Sequence, residues 1–351
     1  MMLSKIFRRL TLSAALLLPT SSFAVVFAER PEVKEFIDEV VSEHKLDREQ
    51  VSGLFSKIES SPEIIQKITT PYEALPWDKY RSLFLSEQKI AGGLKFWQEY
   101  KKDLEAAQKQ YGVPAELIVA IIGVESSYGQ NRGKYLVLQA LATLAFDYAP
   151  RAKFFRSELK EYLALTIEHQ LDPMEIKGSY AGAMGIPQFI SSSYRNFAVD
   201  FDGTSKVDLI NNIPQAISSV ANYFKVHGWK TGQPVVLKAK AHGNKYQNLQ
   251  VASKNDPKAV LSLDTLKQHG VSSVRKIANK DTKVSFLQFE TGPDNQYEYW
   301  LGLENFYVIT RYNHSSNYAM AVYQLSQEIA KLHKQPKTKK SKQKSVRHGK
   351  P

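Results

Sequence analysis

The sequence predicts a mainly α-helical protein that contains one small β-rich region. Apolar residues recur at helical spacing through residues 31–110, and the densest apolar helical segments lie within residues 111–230. β-branched and aromatic patterns then appear within residues 231–300, before a helical pattern returns over residues 301–330. With 43% hydrophobic and 11% aromatic residues, this chain of 351 residues can build a sizeable core of two or three lobes.

The start of the chain has the pattern of an export signal. Residues 1–24 combine a basic start, the apolar run 10–18 and small residues at Ser22 and Ala24, as a secretory signal peptide does. The apolar run is shorter than the roughly 20 residues that span a bilayer, so cleavage is favoured over an uncleaved anchor. We expect export to the periplasm, with cleavage after Ala24 or Ala28. Since the chain has 0 cysteines, we expect neither disulfides nor a lipoprotein anchor.

The formal net charge of +12 is concentrated at the two ends. Three positive charges fall in residues 1–24 and nine in residues 331–351, with no acid in either segment, so residues 25–330 are formally neutral. A nucleic-acid-binding domain would carry its basic surface on the folded part, so we expect no nucleic acid partner. The basic tail 331–351 offers no apolar set to bury and is predicted to be disordered. Its role is either solubility or weak electrostatic association with an anionic wall or membrane surface.

Helical and β-rich patterns set the predicted boundaries within the body. Residues 25–110 form an N-terminal helical region, in which apolar positions such as Val33, Phe36, Ile37 and Val40 share one helix face. A catalytic core is predicted over residues 111–230. The small β-containing region covers 231–300, and residues 301–330 return to the core as a C-terminal helix; the β-rich stretches are 235–237, 284–289 and 297–301.

Glu125 is the first candidate for chemistry. Pro114 suits the first turn of a helix, and from Leu117 to Val124 every residue is apolar or glycine, so this helix should be buried on most sides. A carboxyl group at the end of a buried helix is poorly solvated, which favours its neutral form, as a general acid near neutral pH requires. Taken alone, Glu125 is better explained as the point where the helix leaves the core.

A second cluster lies in residues 178–189, GSYAGAMGIPQF. Three glycines and two alanines let backbone and ligand approach closely, as recognition of a sugar ring by hydrogen bonds requires. Ser179 and Gln188 offer those hydrogen bonds, and Phe189 offers apolar contact. The alternative is a tight helix–helix crossing, which explains the small residues but not the polar and aromatic pair that follows them.

A third cluster, Tyr312, Asn313 and Tyr318, places aromatic rings and an amide beside the last predicted helix. The three clusters, in this order, resemble the goose-type lysozyme and lytic transglycosylase superfamily, and within it the membrane-bound lytic transglycosylase B family. The resemblance covers about residues 31–330 and includes the stretches GVESSYG, LATLAFDY, GAMGIPQF, SVANYFKVHGW and RYNHSSNYAMAV. It implies a lysozyme-like catalytic core with an additional N-terminal helical lobe and a small β-containing insertion.

The resemblance also implies roles for individual residues. Glu125 matches the family's catalytic acid. Glycan contacts and an aromatic lining of the cleft are implied for Ser179, Gln188, Phe189, Tyr223, Tyr312, Asn313 and Tyr318. Arg151 matches one of two neighbouring arginines associated with peptide or glycan contacts, whereas Pro150 replaces the other.

The implied reaction is a lyase-type cleavage of peptidoglycan glycan strands by one carboxyl group, where ordinary glycosidases use two. Glu125 would protonate the glycosidic oxygen between N-acetylmuramic acid and N-acetylglucosamine. It would then take the proton of the muramic C6 hydroxyl, which attacks C1 and closes a 1,6-anhydro ring. Two alternatives stay open: a hydrolysing muramidase with a second acid among Asp147, Glu168 and Asp172, and a non-catalytic wall-binding protein. We expect a monomer without a cofactor.

Some members of that family carry an EF-hand-like calcium loop, which corresponds here to the stretch that begins at Asp200. Asp200 and Asp202 suit the alternating oxygen ligands of such a loop. However, Ser205 stands at the glycine position, Lys206 brings a cation to the loop, and Gln215 stands where a late acid is expected. We therefore expect no tight calcium binding and no catalytic metal.

Overall fold

The computed structural model describes residues 26–70, 75–292 and 296–335, and helices dominate these ranges. The helices in chain order are α1 (Pro31–His44), α2 (Arg48–Phe55), α3 (Pro62–Ile68), α4 (Trp77–Phe84), α5 (Glu87–Glu99), α6 (Lys101–Tyr111), α7 (Ala115–Ser126), α8 (Val137–Asp147), α9 (Ala152–Glu168), α10 (Ser191–Phe197), α11 (Ile213–Val226), α12 (Leu263–Gln268), α13 (Glu304–Tyr312) and α14 (Ser316–Lys334). Short 3-10 helices occur at Phe27–Glu29, Ala149–Arg151 and Lys245–Asn248.

Two antiparallel sheets lie in the described ranges. Their strands are β1 (Tyr135–Leu136), β2 (Lys177–Gly178), β3 (Val236–Ala241), β4 (Val271–Ser273), β5 (Ser285–Gly292) and β6 (Gln296–Gly302). β1 pairs with β2, and the larger sheet has the order β4-β3-β6-β5. Along β5, Phe286 packs into the sheet's own apolar cluster, while Leu287 and Phe289 face the helices. This alternation follows from the opposite directions of successive side chains in a strand.

Helix α7 lies in the middle of the helical core. Its unbroken apolar sequence leaves residues 118–122 with no exposed surface. Helices α5, α6, α11 and α14 surround it. An apolar helix that is covered on all sides cannot shift without losing burial elsewhere, so its C-terminal end is held in a fixed position.

The predicted N-terminal region does not form a core of its own. Helices α1 to α3 pack on the later helices α8 and α9, with Phe36 and Phe146 in edge-to-face contact at 5.6 Å. Helices α4 to α6 join α7, α11 and α14 instead. The boundary predicted at residue 110 therefore does not separate two cores, because helices from before and after this residue share both apolar clusters.

Residues 301–330 contain two helices, α13 and α14, rather than one. Helix α14 continues to Lys334, so the predicted start of the tail at residue 331 is wrong. The last turn is held because the ring of His333 stacks on Trp97 of α5 at 4.2 Å. The predicted signal peptide 1–24 and the rest of the tail lie outside the described residues. Within the described part of the chain, no helix is both long and apolar enough to cross a membrane.

Candidate active site

Glu125 is the penultimate residue of α7, at a point where the chain turns sharply. Ser127 (φ 50°) and Tyr128 (φ 63°) both adopt the left-handed conformation, which is unfavourable for residues with a side chain. Their amides donate to the carbonyl oxygens of Gly123 and Ile122, each at 3.2 Å, and these bonds close the helix. The turn leaves Glu125 partly exposed at the end of an otherwise buried helix.

The ring of Tyr128 fills a slot that glycines create between α5 and α7. A Cβ atom at Gly92, Gly93 or Gly123 would lie between 2.6 and 2.8 Å from atoms of the Tyr128 side chain. The Tyr128 hydroxyl donates to the carbonyl oxygen of Lys89 at 2.7 Å. The turn after Glu125 is thus fixed by a side chain that only glycine neighbours can accommodate.

Lys89 connects the start of α5 to the same end of α7. Its ammonium group donates to the carbonyl oxygen of Gly123 at 2.8 Å and to Oγ of Ser127 at 3.0 Å. A cation at a helix C-terminus interacts favourably with the partial negative charge of the carbonyl groups there. Burial lowers the pKa of Lys89, and the negative charge of Glu125 opposes part of this shift. Lys89 therefore lies within electrostatic range of the candidate acid.

Tyr318, in the first turn of α14, reaches Glu125 directly. Its hydroxyl donates to Oε1 of Glu125 at 2.5 Å. The amide of Tyr318 donates in turn to Oγ of Ser315, the N-cap of α14, at 3.2 Å. Burial, followed by the charge of Glu125, raises the pKa of Tyr318 well above its ordinary value of 10.0. The phenol therefore stays protonated and acts as the donor.

A row of aromatic side chains continues from Tyr318. Its ring stacks on Tyr312 at 6.4 Å, and Tyr312 contacts both Tyr223, at 4.9 Å, and Phe189, at 5.7 Å. The hydroxyl of Tyr312 donates to the carbonyl oxygen of Pro187 at 2.6 Å. This row joins α11 and the end of α13 to the segment 178–189.

The segment 178–189 is attached to the end of α7 by Ser126. The Ser126 hydroxyl is fully buried and donates to the carbonyl oxygen of Ile186 at 2.6 Å. Gly185 has a φ of 74°, and a Cβ atom there would lie 2.4 Å from the carbonyl oxygen of Leu209, so glycine is required on both counts. Glycine at position 185 therefore allows this loop to approach the backbone of Leu209, and the Ser126 hydrogen bond holds the loop beside the end of α7.

Comparisons with known proteins show to which family the chain belongs. A model of the transglycosylase SLT domain matches residues 28–327. The chain belongs to the transglycosylase SLT domain family. The chain is 40% identical over 314 residues to membrane-bound lytic murein transglycosylase B of Escherichia coli (strain K12). The aligned residues cover 87% of this chain and 84% of the relative.

Solved structures of relatives resemble the transglycosylase over most of its length. The soluble lytic transglycosylase SltB1 of Pseudomonas aeruginosa is 47% identical and has a TM-score of 0.79, covering 86% of this chain and 99% of its own. The Escherichia coli lytic transglycosylase Slt35, solved in complex with calcium, is 40% identical and has a TM-score of 0.80, covering 88% and 96%. The family and the mainly α-helical, lysozyme-like fold predicted from the sequence are confirmed.

The predicted glycan-contacting residues form two groups, one buried and one partly exposed. Phe189, Tyr223 and Tyr318 are 2%, 6% and 1% exposed, and the rings of all three pack on Tyr312. The partly exposed group is Ser179, Gln188, Tyr312 and Asn313. A direct contact with glycan stays a prediction for both groups.

Backbone contacts hold the two polar residues of the second cluster. Oγ of Ser179 accepts the amides of Ala181 and Ala183 at 3.2 and 3.1 Å. The side-chain amide of Gln188 donates to the carbonyl oxygens of Gly185 and Arg132 at 2.8 and 3.1 Å. Both side chains are therefore fixed in orientation within the transglycosylase.

Arg151 is exposed, and its guanidinium lies over the rings of Phe154 and Phe155 at 4.3 and 5.1 Å. Its charge nevertheless reaches the third cluster. Burial lowers the pKa of His314, and the positive charges of Arg311 and Arg151 lower it further. Arg151 and Arg311 therefore both place positive charge near His314 in the third cluster.

Sequence reasoning did not identify Tyr80, Lys89 or Tyr128 as parts of this site. Tyr80 lies on α4, is 1% exposed, and contributes to the raised pKa of Tyr318. In the sequence, Tyr80 and Lys89 resemble ordinary members of amphipathic helices, and Tyr128 is one residue of the stretch GVESSYG. The GG pair at residues 92–93 was the available signal, since two glycines inside a helix indicate that another group approaches closely.

The three acids proposed for a hydrolysing muramidase are held elsewhere. Asp147 accepts a hydrogen bond from Arg30 at 2.7 Å, and Glu168 pairs with Arg195. Asp172 accepts the amide of Met174 at 2.8 Å. Burial raises the pKa values of Tyr223 and Tyr312, and Glu125 is the carboxylate whose charge raises them further. None of the three acids is among the causes of these two shifts.

Proposed function

We propose that Glu125 is the acid and base with which this lytic transglycosylase cleaves peptidoglycan. Lytic murein transglycosylases are lyases that break the β-1,4 bond between N-acetylmuramic acid and N-acetylglucosamine, and family membership places the protein in this class. One observation carries the assignment of Glu125: its carboxyl group lies at the end of a buried helix and accepts the Tyr318 hydroxyl at 2.5 Å.

The reaction needs one carboxyl group that gives and then takes a proton. Glu125 protonates the glycosidic oxygen, the bond to C1 of the muramic residue breaks, and the N-acetylglucosamine residue leaves. The Glu125 carboxylate then accepts the proton of the muramic C6 hydroxyl, whose oxygen bonds to C1 and closes the 1,6-anhydro ring. The proton count returns to its starting value, and no water is consumed.

Tyr318 and Lys89 stabilise the charged state that appears between these two steps. A phenol with a raised pKa remains a donor to the carboxylate, and charge-assisted hydrogen bonds are stronger than neutral ones. The Lys89 ammonium adds a positive charge near the end of α7. Both groups are fixed by packing before substrate arrives, so little reorganisation is required during the reaction.

Partly exposed polar residues supply the proposed glycan contacts. Because Oγ of Ser179 already accepts two amides, its proton is directed away from them and serves a sugar oxygen. Gln188 and Asn313 contribute side-chain amides, and the exposed cation of Arg151 suits a carboxylate of the muramic lactyl or peptide substituent. We further propose that the protein acts in the periplasm, where its substrate lies.

The decisive experiment compares Glu125→Gln with Glu116→Gln, which makes the same change in the first turn of the same helix. Purified sacculi are digested and the muropeptides are analysed by mass spectrometry. We expect 1,6-anhydro products from the wild type and from Glu116→Gln. The Glu125→Gln variant should fold and bind glycan while turnover falls by about 10²–10⁴-fold or more. Near-normal turnover by Glu125→Gln would exclude the assignment. Products heavier by one water would instead identify a hydrolysing muramidase.

A further inference from the structure

The loop between α10 and α11 arranges four oxygen atoms around a common point. They are Oδ1 of Asp200, Oδ1 of Asp202, Oγ1 of Thr204 and the carbonyl oxygen of Lys206, at alternating positions along the chain. This spacing is the one that an EF-hand-like loop uses for calcium. The related Slt35 was solved in complex with calcium, an ion that binds such oxygen ligands.

The common point of the four oxygens is occupied by a side chain of this protein. Nε2 of Gln215 lies 3.2 Å from Asp200 Oδ1, 2.6 Å from Asp202 Oδ1, 3.1 Å from Thr204 Oγ1 and 2.9 Å from the Lys206 oxygen. Gln215 is in the first turn of α11 and is fully buried. An N–H donor group therefore takes the place that a cation would take.

The orientation of the Gln215 amide is fixed by its other end. Oε1 of Gln215 accepts the backbone amide of Asp208 at 2.6 Å. Rotating the amide by half a turn would set two donors against each other at that contact and would bring Oε1 against three acceptor oxygens, those of Asp200, Asp202 and Lys206. Both contacts would become repulsive, so hydrogen bonding selects the orientation with Nε2 at the centre.

The remaining oxygens of the loop aspartates also have donors from the protein. Oδ2 of Asp200 accepts the amide of Ser205 at 2.8 Å, and Oδ2 of Asp202 accepts the side-chain amide of Asn212 at 2.6 Å. Ser205 adopts a φ of 62°, so the loop keeps its sharp bend without the expected glycine. The residues present satisfy the loop internally and do not fit a bound calcium ion.

The end of this loop supports the segment beside the candidate acid. The carbonyl oxygen of Leu209 accepts the amide of Ile186 at 2.8 Å, and that of Ile210 accepts Nη1 of Arg132 at 2.6 Å. Ile186 is the residue whose carbonyl oxygen accepts the Ser126 hydroxyl at 2.6 Å, next to Glu125. A continuous series of contacts thus links Gln215 to the end of α7.

We propose that the side-chain amide of Gln215 replaces a bound cation in this loop, so that the loop supports the active site without metal. In this interpretation Gln215 is a positioning residue, which acts through the loop and Ile186 rather than on substrate. It follows that one substitution, Gln215→Glu, restores a late acid at the centre of the oxygen array and makes the loop respond to calcium.

The test measures the Tm and sacculus turnover of the full chain in EDTA and in about 5 mM CaCl₂, a concentration that also saturates weak sites. The wild type should give the same Tm and turnover in both. Gln215→Glu should have a lower Tm in EDTA, because a third carboxylate joins Asp200 and Asp202. Calcium should raise its Tm by at least about 3 °C and restore its turnover. The matched control Gln215→Glu with Asp200→Asn should lose most of the calcium response.

Two results would overturn the proposal. One is a saturable rise in the wild-type Tm with calcium, since the ion would then displace the amide. The other is a folded Gln215→Glu variant without any calcium response. Where Gln215→Glu does not fold in EDTA, refolding in calcium but not in magnesium is the supporting result, and failure in both contradicts the proposal. Calorimetric titration of the wild type with calcium gives an independent measurement, in which no heat of binding is expected.

Discussion

The hydroxyl of Tyr318 donates to Oε1 of Glu125 at 2.5 Å, although the two residues are 193 positions apart in the chain. The contact joins the last turn of α7 to the first turn of α14. Helix α7 places the carboxyl group at the edge of the core, and α14 determines how the group is oriented there. The proposed acid is therefore a product of two helices, and its function should depend on both.

Replacing the donor tests this relationship. Tyr318→Phe keeps the buried ring but removes the hydrogen bond to Glu125. We expect kcat to fall about 10- to 100-fold, because a hydrogen bond to a charged group contributes ~1.5–3 kcal/mol. Tyr323→Phe, on the same helix with its ring beside Trp300, is the control and should retain wild-type turnover. Equal turnover by both variants would mean that the Tyr318 hydroxyl has no part in the reaction.

The glycine slot around Tyr128 gives a prediction about stability and activity. A Cβ atom at Gly123 would lie 2.6 Å from the Tyr128 ring, so Gly123→Ala should reduce the free energy of unfolding by about 1–3 kcal/mol and lower turnover. Gly53→Ala, in α2, meets nothing within 4 Å and should instead stabilise by about 0.5–1 kcal/mol. Urea denaturation measures both values. A neutral Gly123→Ala would show that the slot is not tightly packed.

His227 predicts a dependence of stability on pH. Burial lowers its pKa below the 6.5 of a free histidine, while its hydrogen bond with the Tyr223 carbonyl opposes part of this shift. Between the folded-state pKa and 6.5, the unfolded chain therefore binds more protons at His227 than the folded one does. The free energy of unfolding falls as the pH decreases from 7 towards the folded-state pKa. The loss of Tm between pH 7 and pH 5 should be smaller in His227→Gln than in the wild type.

A matched surface variant separates this effect from a general one. His242→Gln, at an exposed position, should show the same change of Tm with pH as the wild type. Part of the pH dependence should persist in His227→Gln, because partial desolvation and the charge of Arg311 also lower the pKa of His314. An unchanged slope in His227→Gln would refute the role of His227.

The basic tail gives a prediction about wall association. Since α14 ends at Lys334, a truncation after Gln335 removes seven lysines and arginines without cutting the helix. We expect the truncated protein to bind sacculi more weakly at low salt and nearly equally at about 0.15 M, where the Debye length is about 8 Å. Turnover of short soluble glycans should be unchanged. Pelleting assays at two salt concentrations measure the difference, and equal binding at low salt would leave the tail without this role.

The sequence alone determined the elements whose signals are local. The apolar run from Leu117 to Val124, which follows Pro114 in a first-turn position, predicted a buried helix, and this made the next residue, Glu125, a carboxyl group at the edge of a core. The β-rich stretches likewise predicted the region in which β3 to β6 form. The family was recognisable because its motifs keep both residue type and spacing.

Only the tertiary structure decided which side chains meet at that edge. The sequence singled out Tyr318 and Gln215, but it did not predict that Tyr318 donates to Glu125 or that the Gln215 amide lies among four oxygens. Nor did it predict that the Tyr128 ring lies between glycines of two helices. Likewise, the sequence suggested a glycan contact for Phe189, whereas the structure shows its ring to be packed among other rings. Periodicity specifies which face of a helix is buried. The partners that cover this face depend on how distant elements pack, and no local pattern encodes that.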